Sequence, residues 1–359
     1  MAYRDMPRRE RLREIGSFHS DTPAFLEAKG IIANLHADWQ TSAEGSCVFI
    51  VGDNGAGKST VADDFLEDIA GKTGGTACRG NVEVLPSGEK MPPSWGVRVR
   101  TSQGFERPVI KIEIGPKPRF NALMADYLLQ LGIRPRANAT YGELTTLCVH
   151  HSILQRVRTV IFDESQEVVE HASSWEAANV FRHLVNTARV QVLLMGMPHA
   201  LDIADINPAV RRRTRERHTI QPFECTPDDP ESAYMRFCRD AEAILPFDRP
   251  SGLDAPLTAL RMHLACGGFP GVYVPFLHAA AGNAISQDLD SITGKVLAET
   301  YRKARGASDH ENPFVIEDPD PERFKLVAAR MKAREAREQS RLAERRPLAA
   351  RAGVPDFTK

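Results

Sequence analysis

The chain has 359 residues, 42% of them hydrophobic, and a formal net charge of -1, which allows two domains of ordinary size and a large buried core. It is not a polycation, so any affinity for nucleic acid must come from local patches such as Arg323 to Lys359, with 11 Lys+Arg against 4 Asp+Glu. Six scattered cysteines without a C-x-x-C pair suggest neither a disulfide framework nor a zinc ribbon, and no run approaches about 18 apolar residues, so a cytoplasmic protein with no membrane partner is expected.

In chain order, an N-terminal arm and lead-in helix occupy residues 1–45. Short apolar runs then alternate with longer amphipathic stretches, the pattern of a parallel sheet covered by helices. The runs are "CVFIVG" (47–52), "PVIKIEIG" (108–115), "TVIFDE" (159–164), "VQVLLMG" (190–196) and the weaker "HTIQPF" (218–223). Helical patterns cover Ser59 to Ala70, Arg119 to Leu131, Gly142 to Val157 and Ser174 to Ala188. The glycine- and proline-rich segment from Gly71 to Arg107 reads as an irregular insertion or hairpin. The strand pattern stops after Pro222. The expected organisation is an α/β domain with a five-stranded parallel sheet over 46–224, a small all-helical lid over 225–305, and a linker with a basic tail over 306–359.

"GDNGAGKS" fits G-x-x-x-x-G-K-[ST]. Gly52, Asp53, Asn54, Gly55, Ala56, Gly57, Lys58, Ser59 and Thr60 form the candidate phosphate loop. Its glycines let backbone N–H groups face phosphate oxygens at the positive end of the following helix. Lys58 would reach the β/γ phosphates and Ser59 would ligate Mg²⁺. At the end of "TVIFDES", Asp163 would complete the metal shell, and Glu164 would orient and polarise the water that attacks ATP. That glutamate points to the ATPases that carry a strand between the two motifs, for which "PVIKIEIG" is the candidate. It argues against a small-molecule kinase.

"VQVLLMGMP" is expected between the phosphate-loop strand and the Asp-Glu strand. Such ATPases place a polar residue after this strand, but here Met197 follows Gly196, leaving Asn186, His199 and Gln166 as substitutes. Arginines 211, 212, 213, 215 and 217 crowd the end of a helix before the fifth strand. Arg213, with Arg212 close behind, is the candidate arginine finger, a guanidinium projected into a neighbouring subunit's ATP.

These features, with "FHSDTPAFLEAKGIIANL", "ADYLLQLGI", "LLMGMPHA", "GGFPGVYVPFLHAAA" and "ENPF" over residues 18 to 315, make the chain resemble the AAA+ ATPases. Within them it resembles the TniB/TnsC-like regulators of DNA transposition, related in role to the MuB ATPase. The resemblance implies an ATP- and Mg²⁺-dependent protein that binds duplex DNA largely without sequence preference and assembles on it as a ring or helical filament. It would select target sites and recruit a DDE transposase, with a target-selection protein as a further partner.

In such an assembly Arg98, Arg100, Thr101 and Arg107 would line the DNA channel, and residues near Phe25 and Ile31 would meet the adenine. Two departures from the family pattern, Met197 and the absence of an arginine near Gly267, Gly268 and Gly271, imply slow hydrolysis suited to a switch. The alternative is an AAA+ remodeler, loader or initiator acting on DNA, although residues 306–359 are short and polar for a winged helix. A signalling ATPase without nucleic acid is a third reading.

Overall fold

The computed structural model describes residues 3, 6–16, 18–42, 44–80, 83–84, 90–91, 93–170 and 174–320. The apolar runs become strands because both of their faces are covered, so that every residue of β1 (Cys47–Val51), β7 (Thr159–Asp163) and β8 (Gln191–Gly196) is buried. The remaining strands are β2 (Thr76–Arg79), β3 (Glu83–Val84), β4 (Lys90–Met91), β5 (Trp95–Thr101), β6 (Gly104–Glu113) and β9 (Thr214–Thr219). Seven of them form one sheet in the order β2-β5-β6-β7-β8-β1-β9, and β3 pairs with β4 separately.

The five expected parallel strands are there as β6-β7-β8-β1-β9. The segment 71–107 corrects the strand count, because β5 and β2 extend the sheet in antiparallel fashion. Neither strand carries a long apolar run, since both lie towards one edge. The "VQVLLMG" strand, β8, lies between β1 and β7 as expected, whereas the "PVIKIEIG" strand, the candidate intervening strand, lies on the far side of β7. The fifth strand also begins earlier than its apolar signal. It is the charged stretch "TRERHT", an edge strand that needs no apolar face, and it ends before Pro222, which has no N–H to continue the ladder.

The chain divides into two compact units. The sheet unit comprises His19–Phe223 with Phe269–Gly271, and strand parity sorts its side chains into two cores. Cys47, Phe49 and Val51 face α4 (Phe120–Gln130), α5 (Tyr141–Leu154) and α6 (Ser174–Thr187), whereas Val48 and Ile50 face α2 (Pro23–Asp38) and α3 (Lys58–Thr73). Thr22 caps α2 from ahead of Pro23, and Thr140 with Glu143 closes a capping box on α5. Two short helices, α7 (Ile203–Ile206) and α8 (Pro208–Arg213), lead into β9.

The helical unit comprises α1 (Arg8–Gly16), α9 (Ala233–Ala243), α10 (Pro256–Cys266), most of α11 (Pro270–Ser286) and α12 (Gly294–Arg305). The expected N-terminal arm therefore divides, with α1 in this unit and α2 in the other. Arg11 explains the attachment of α1: its guanidinium donates to the carbonyl of Pro246 at 2.9 Å and lies 5.3 Å from the Phe247 ring centroid. The "ENPF" phrase is anchored by buried Asn312, which donates to Ala298 O at 2.9 Å, and by Phe314 stacked on Phe276. The basic tail predicted beyond it, residues 321–359, lies outside the described residues. Among the described residues no single helix is long and apolar enough to cross a membrane.

Candidate nucleotide site

Parallel strands that end together bring their C-terminal residues to one edge, and Gly52, Asp163 and Gly196 meet there. Gly52 N donates to Gly196 O at 3.1 Å, and Ile220 N donates to Val51 O at 2.8 Å. A Cβ on Gly52 would stand 2.7 Å from the carbonyl oxygen of Ile220, so the residue type here is set by the close approach of backbone.

The loop then turns through Gly55 at φ 85° and Gly57 at φ 95° into α3. Gly57 offers no side-chain cap, so the first N–H groups of a 16-residue helix remain available to an anion. Asp53, Asn54, Ser59 and Thr60 are exposed along this rim, while Ala56 is buried beneath it.

Lys58 is buried, and its ammonium donates to the carbonyls of Gly52 at 2.7 Å and Asp53 at 3.1 Å. Burial lowers its pKa, and the negative charges of Glu164, Asp163 and Asp53 act in the opposite direction. The loop is thus folded around its own lysine.

Ser59 Oγ donates to Asp163 Oδ2 at 3.1 Å, which brings together the two residues expected at the metal although they are 104 positions apart. These hard oxygen donors, next to a helix N-terminus suited to phosphate, fit Mg²⁺, which takes one or two protein oxygens and leaves the rest to phosphates and water.

Glu164 follows at φ 56°, a left-handed conformation uncommon for a glutamate. Its N–H returns to Asp163 Oδ1 at 3.1 Å, and its carboxylate accepts a hydrogen bond from the Gln166 amide. Gln166 is buried, and its carbonyl accepts from Met197 N at 3.0 Å. A Cβ on Gly196 would run into that same amide. Of the three substitutes for the missing polar residue after β8, Gln166 is therefore the one the fold brings to the site.

Asn186 is excluded by topology. It lies at the end of α6 beside Val185, whose carbonyl accepts from Gly45 N at the opposite edge of the sheet. His199 is exposed and pairs with Glu170 at 2.8 Å. Of the two residues expected near the adenine, Ile31 is buried in the core against α3, while Phe25 is part-buried and stacks on His19.

The sequence reading missed Lys111, which lies on β6 only 8% exposed. Its ammonium is 3.3 Å from Asp163 Oδ2 and 3.3 Å from Asp63 Oδ1 of α3. The signal was the lysine interrupting "PVIKIEIG". A charge inside a strand covered on both faces requires a counter-charge.

The arginine cluster is only partly what its spacing suggested. Arg211, Arg212 and Arg213 close α8, but Arg215 and Arg217 belong to β9. Arg213, the preferred finger, pairs with Glu44 and its side chain is only 13% exposed, whereas Arg212 is exposed without an ion pair among the described residues. Both precede Thr214, which is opposite Cys47 at the start of β1. They lie a strand length, roughly 17 Å, from the phosphate loop at its other end.

The candidate DNA residues also separate. Arg98 stacks 4.9 Å from the Phe105 ring centroid, Arg100 is exposed, and Thr101 sits at the β5–β6 turn, donating to Gly104 O at 3.2 Å. Arg107 is a correction. It is 4% exposed, and burial pushes its guanidinium down to about 10, so its charge is not offered to a partner.

Residues 41–204 match the family described as the AAA domain. Among solved structures, the chain is similar to the Aeropyrum pernix ORC1 protein in complex with DNA, with a TM-score of 0.56 and 14% identity over 83% of this chain and 69% of that one. It is also similar to the ADP form of Aeropyrum pernix ORC2, at 0.51 and 14% over 79% and 70%, and to Cdc6p of Pyrobaculum aerophilum, at 0.50 and 13% over 82% and 73%. No curated protein matches by sequence. At these identities the likeness is one of fold. The match over residues 41–204 and the likeness to these structures agree on the fold, the α/β fold of the AAA+ P-loop ATPases.

Proposed function

We propose that the chain is an ATP-hydrolysing switch that assembles on duplex DNA and regulates transposition by recruiting a transposase. The observation that carries the ATPase reading is the convergence of Lys58, Ser59, Asp163 and Glu164 on one sheet edge, with Gln166 linking Glu164 to the end of β8. Lys58 binds the β/γ phosphates, replacing its two backbone acceptors. Ser59 and Asp163 hold Mg²⁺, which neutralises phosphate charge when bound. Glu164 orients the attacking water, and Gln166 restrains that carboxylate in the manner of a brake.

Arg212 is the better finger candidate, because it is exposed while Arg213 is engaged with Glu44. Its distance from the loop of its own subunit makes a finger role dependent on a second copy of the chain. Arg98, Arg100 and Thr101 on the β5–β6 hairpin are the proposed phosphate contacts of a DNA channel. The transposition role rests on the family phrases quoted above.

A loader or initiator is the second reading, favoured by the fold likeness to an ORC1 protein solved in complex with DNA. Glu164→Gln separates the two. A switch trapped with ATP stays assembled on DNA and still recruits its partner, as seen by electron microscopy and co-sedimentation with the transposase. A loader loses its output. Assembly on DNA that is indifferent to ATP would refute both.

A further inference from the structure

We propose that Lys111 is a positioning residue that shares the metal-ligand oxygen of Asp163 and so raises the Mg²⁺ concentration the site requires. The inference rests on the reading of Ser59 and Asp163 as the metal-holding pair. Strand parity sets the geometry. Val109 and Lys111 lie on the face of β6 turned to α3, and Ile161 and Asp163 lie on the same face of the neighbouring β7. The lysine stem therefore runs beneath α3 and brings its ammonium 3.3 Å from Asp63 Oδ1 and 3.3 Å from Asp163 Oδ2.

Asp63 alone would supply a counter-charge for a buried lysine. The second contact goes to the carboxylate oxygen that accepts from Ser59 Oγ, while Oδ1 is taken by Glu164 N. Asp163 is thus held by two hydrogen-bond donors and one ion pair of its own chain.

Two effects of this arrangement oppose each other. Holding the carboxylate in place favours a cation. A fixed ammonium on the same oxygen repels it, and does so against a double charge in a partly dry site, where even unit charges near 4 Å interact strongly. A single ion pair at 3.3 Å orients the carboxylate less than such a repulsion opposes the cation, so repulsion governs the sign. We take about a tenfold change in the Mg²⁺ requirement as the expected net effect.

The test is binding of a fluorescent ATP analogue to the full chain, first in EDTA and then through a Mg²⁺ titration. Wild type is compared with Lys111→Met, Lys111→Arg and the double variant Asp63→Asn/Lys111→Met. The double variant removes the pair together and serves if the single change fails to fold, with a cooperative melt checked for each protein. The half-saturating Mg²⁺ concentration should fall about tenfold in both Met variants. It should stay near wild type in Lys111→Arg, with binding in EDTA similar throughout.

An unshifted or raised midpoint in a folded Met variant overturns the inference. Nucleotide binding by the wild type that ignores Mg²⁺ altogether overturns the reading of Ser59 and Asp163 as well.

Discussion

Gly271 is one residue of the "GGFPG" phrase, and Phe269–Gly271 packs within the sheet unit. Its N–H donates to Gly55 O of the phosphate loop at 2.8 Å. A Cβ at position 271 would stand 2.7 Å from Gly55 Cα, 3.0 Å from its oxygen and 3.2 Å from its carbonyl carbon. All three neighbours are backbone atoms, so no rotamer change relieves the contact.

A Gly271→Ala change therefore forces the loop and the start of α11 apart. Overpacking of this kind costs about 1–3 kcal/mol, and stretching the hydrogen bond adds about 0.5–1.5 kcal/mol. If half of a total near 2–4 kcal/mol is borne by the loop when it closes on nucleotide, affinity falls about 5- to 30-fold. Titration of a fluorescent ATP analogue measures this, with a thermal melt of the nucleotide-free protein to verify folding. A folded variant that binds within twofold of wild type would refute the claim that this backbone contact sets the geometry of the loop.

Gln166→Ala removes the tie between Glu164 and Met197 N, leaving an N–H at the end of β8 without its partner. We expect a loss of about 1–3 kcal/mol in denaturant unfolding, with ATP binding retained and hydrolysis altered relative to wild type. The midpoint and slope of a urea series check the first part, and phosphate release checks the second. Acid stability should depend on His36, which is buried beneath Thr159 at 2.8 Å and whose pKa burial lowers from 6.5 to about 4. Its folded value lies below its unfolded one, so the unfolded chain binds the extra proton between those values. The contribution is complete above pH 6.5 and is lost as pH falls towards 4, by about 3 kcal/mol in all. Thermal melts from pH 7.5 to 4.5 should therefore show a shallower decline for His36→Gln, and parallel curves would refute the assignment.

Much of the site was legible because its signals are local. The glycines of "GDNGAGKS" announce a loop that approaches other backbone closely, and an apolar run ending in Asp163-Glu164 announces a buried strand whose end is charged. Periodicity placed α3, α4, α5 and α6 within a few residues, since each must cover a face of the sheet. Edge structure was harder to read. A strand such as "TRERHT" needs only one neighbour and no apolar stripe, so β9 begins before its hydrophobic signal and takes Arg215 and Arg217 out of the predicted helix.

By itself the sequence determined that a phosphate loop, a strand ending in two carboxylates and a parallel sheet are present, because each needs particular residue types at particular spacings. Only the tertiary structure decided the pairings. The crossover order put the "PVIKIEIG" strand beyond β7 and seated Gln166 where a polar residue after Gly196 was expected. Strand parity turned Lys111 from an oddity in an apolar run into a buried ammonium on Asp163, while Arg107 was withdrawn into the sheet and Arg213 onto Glu44. The physical reason is the same in each case: a lone charge signals only that a partner must exist, and which partner it meets depends on which strands and helices are neighbours in space.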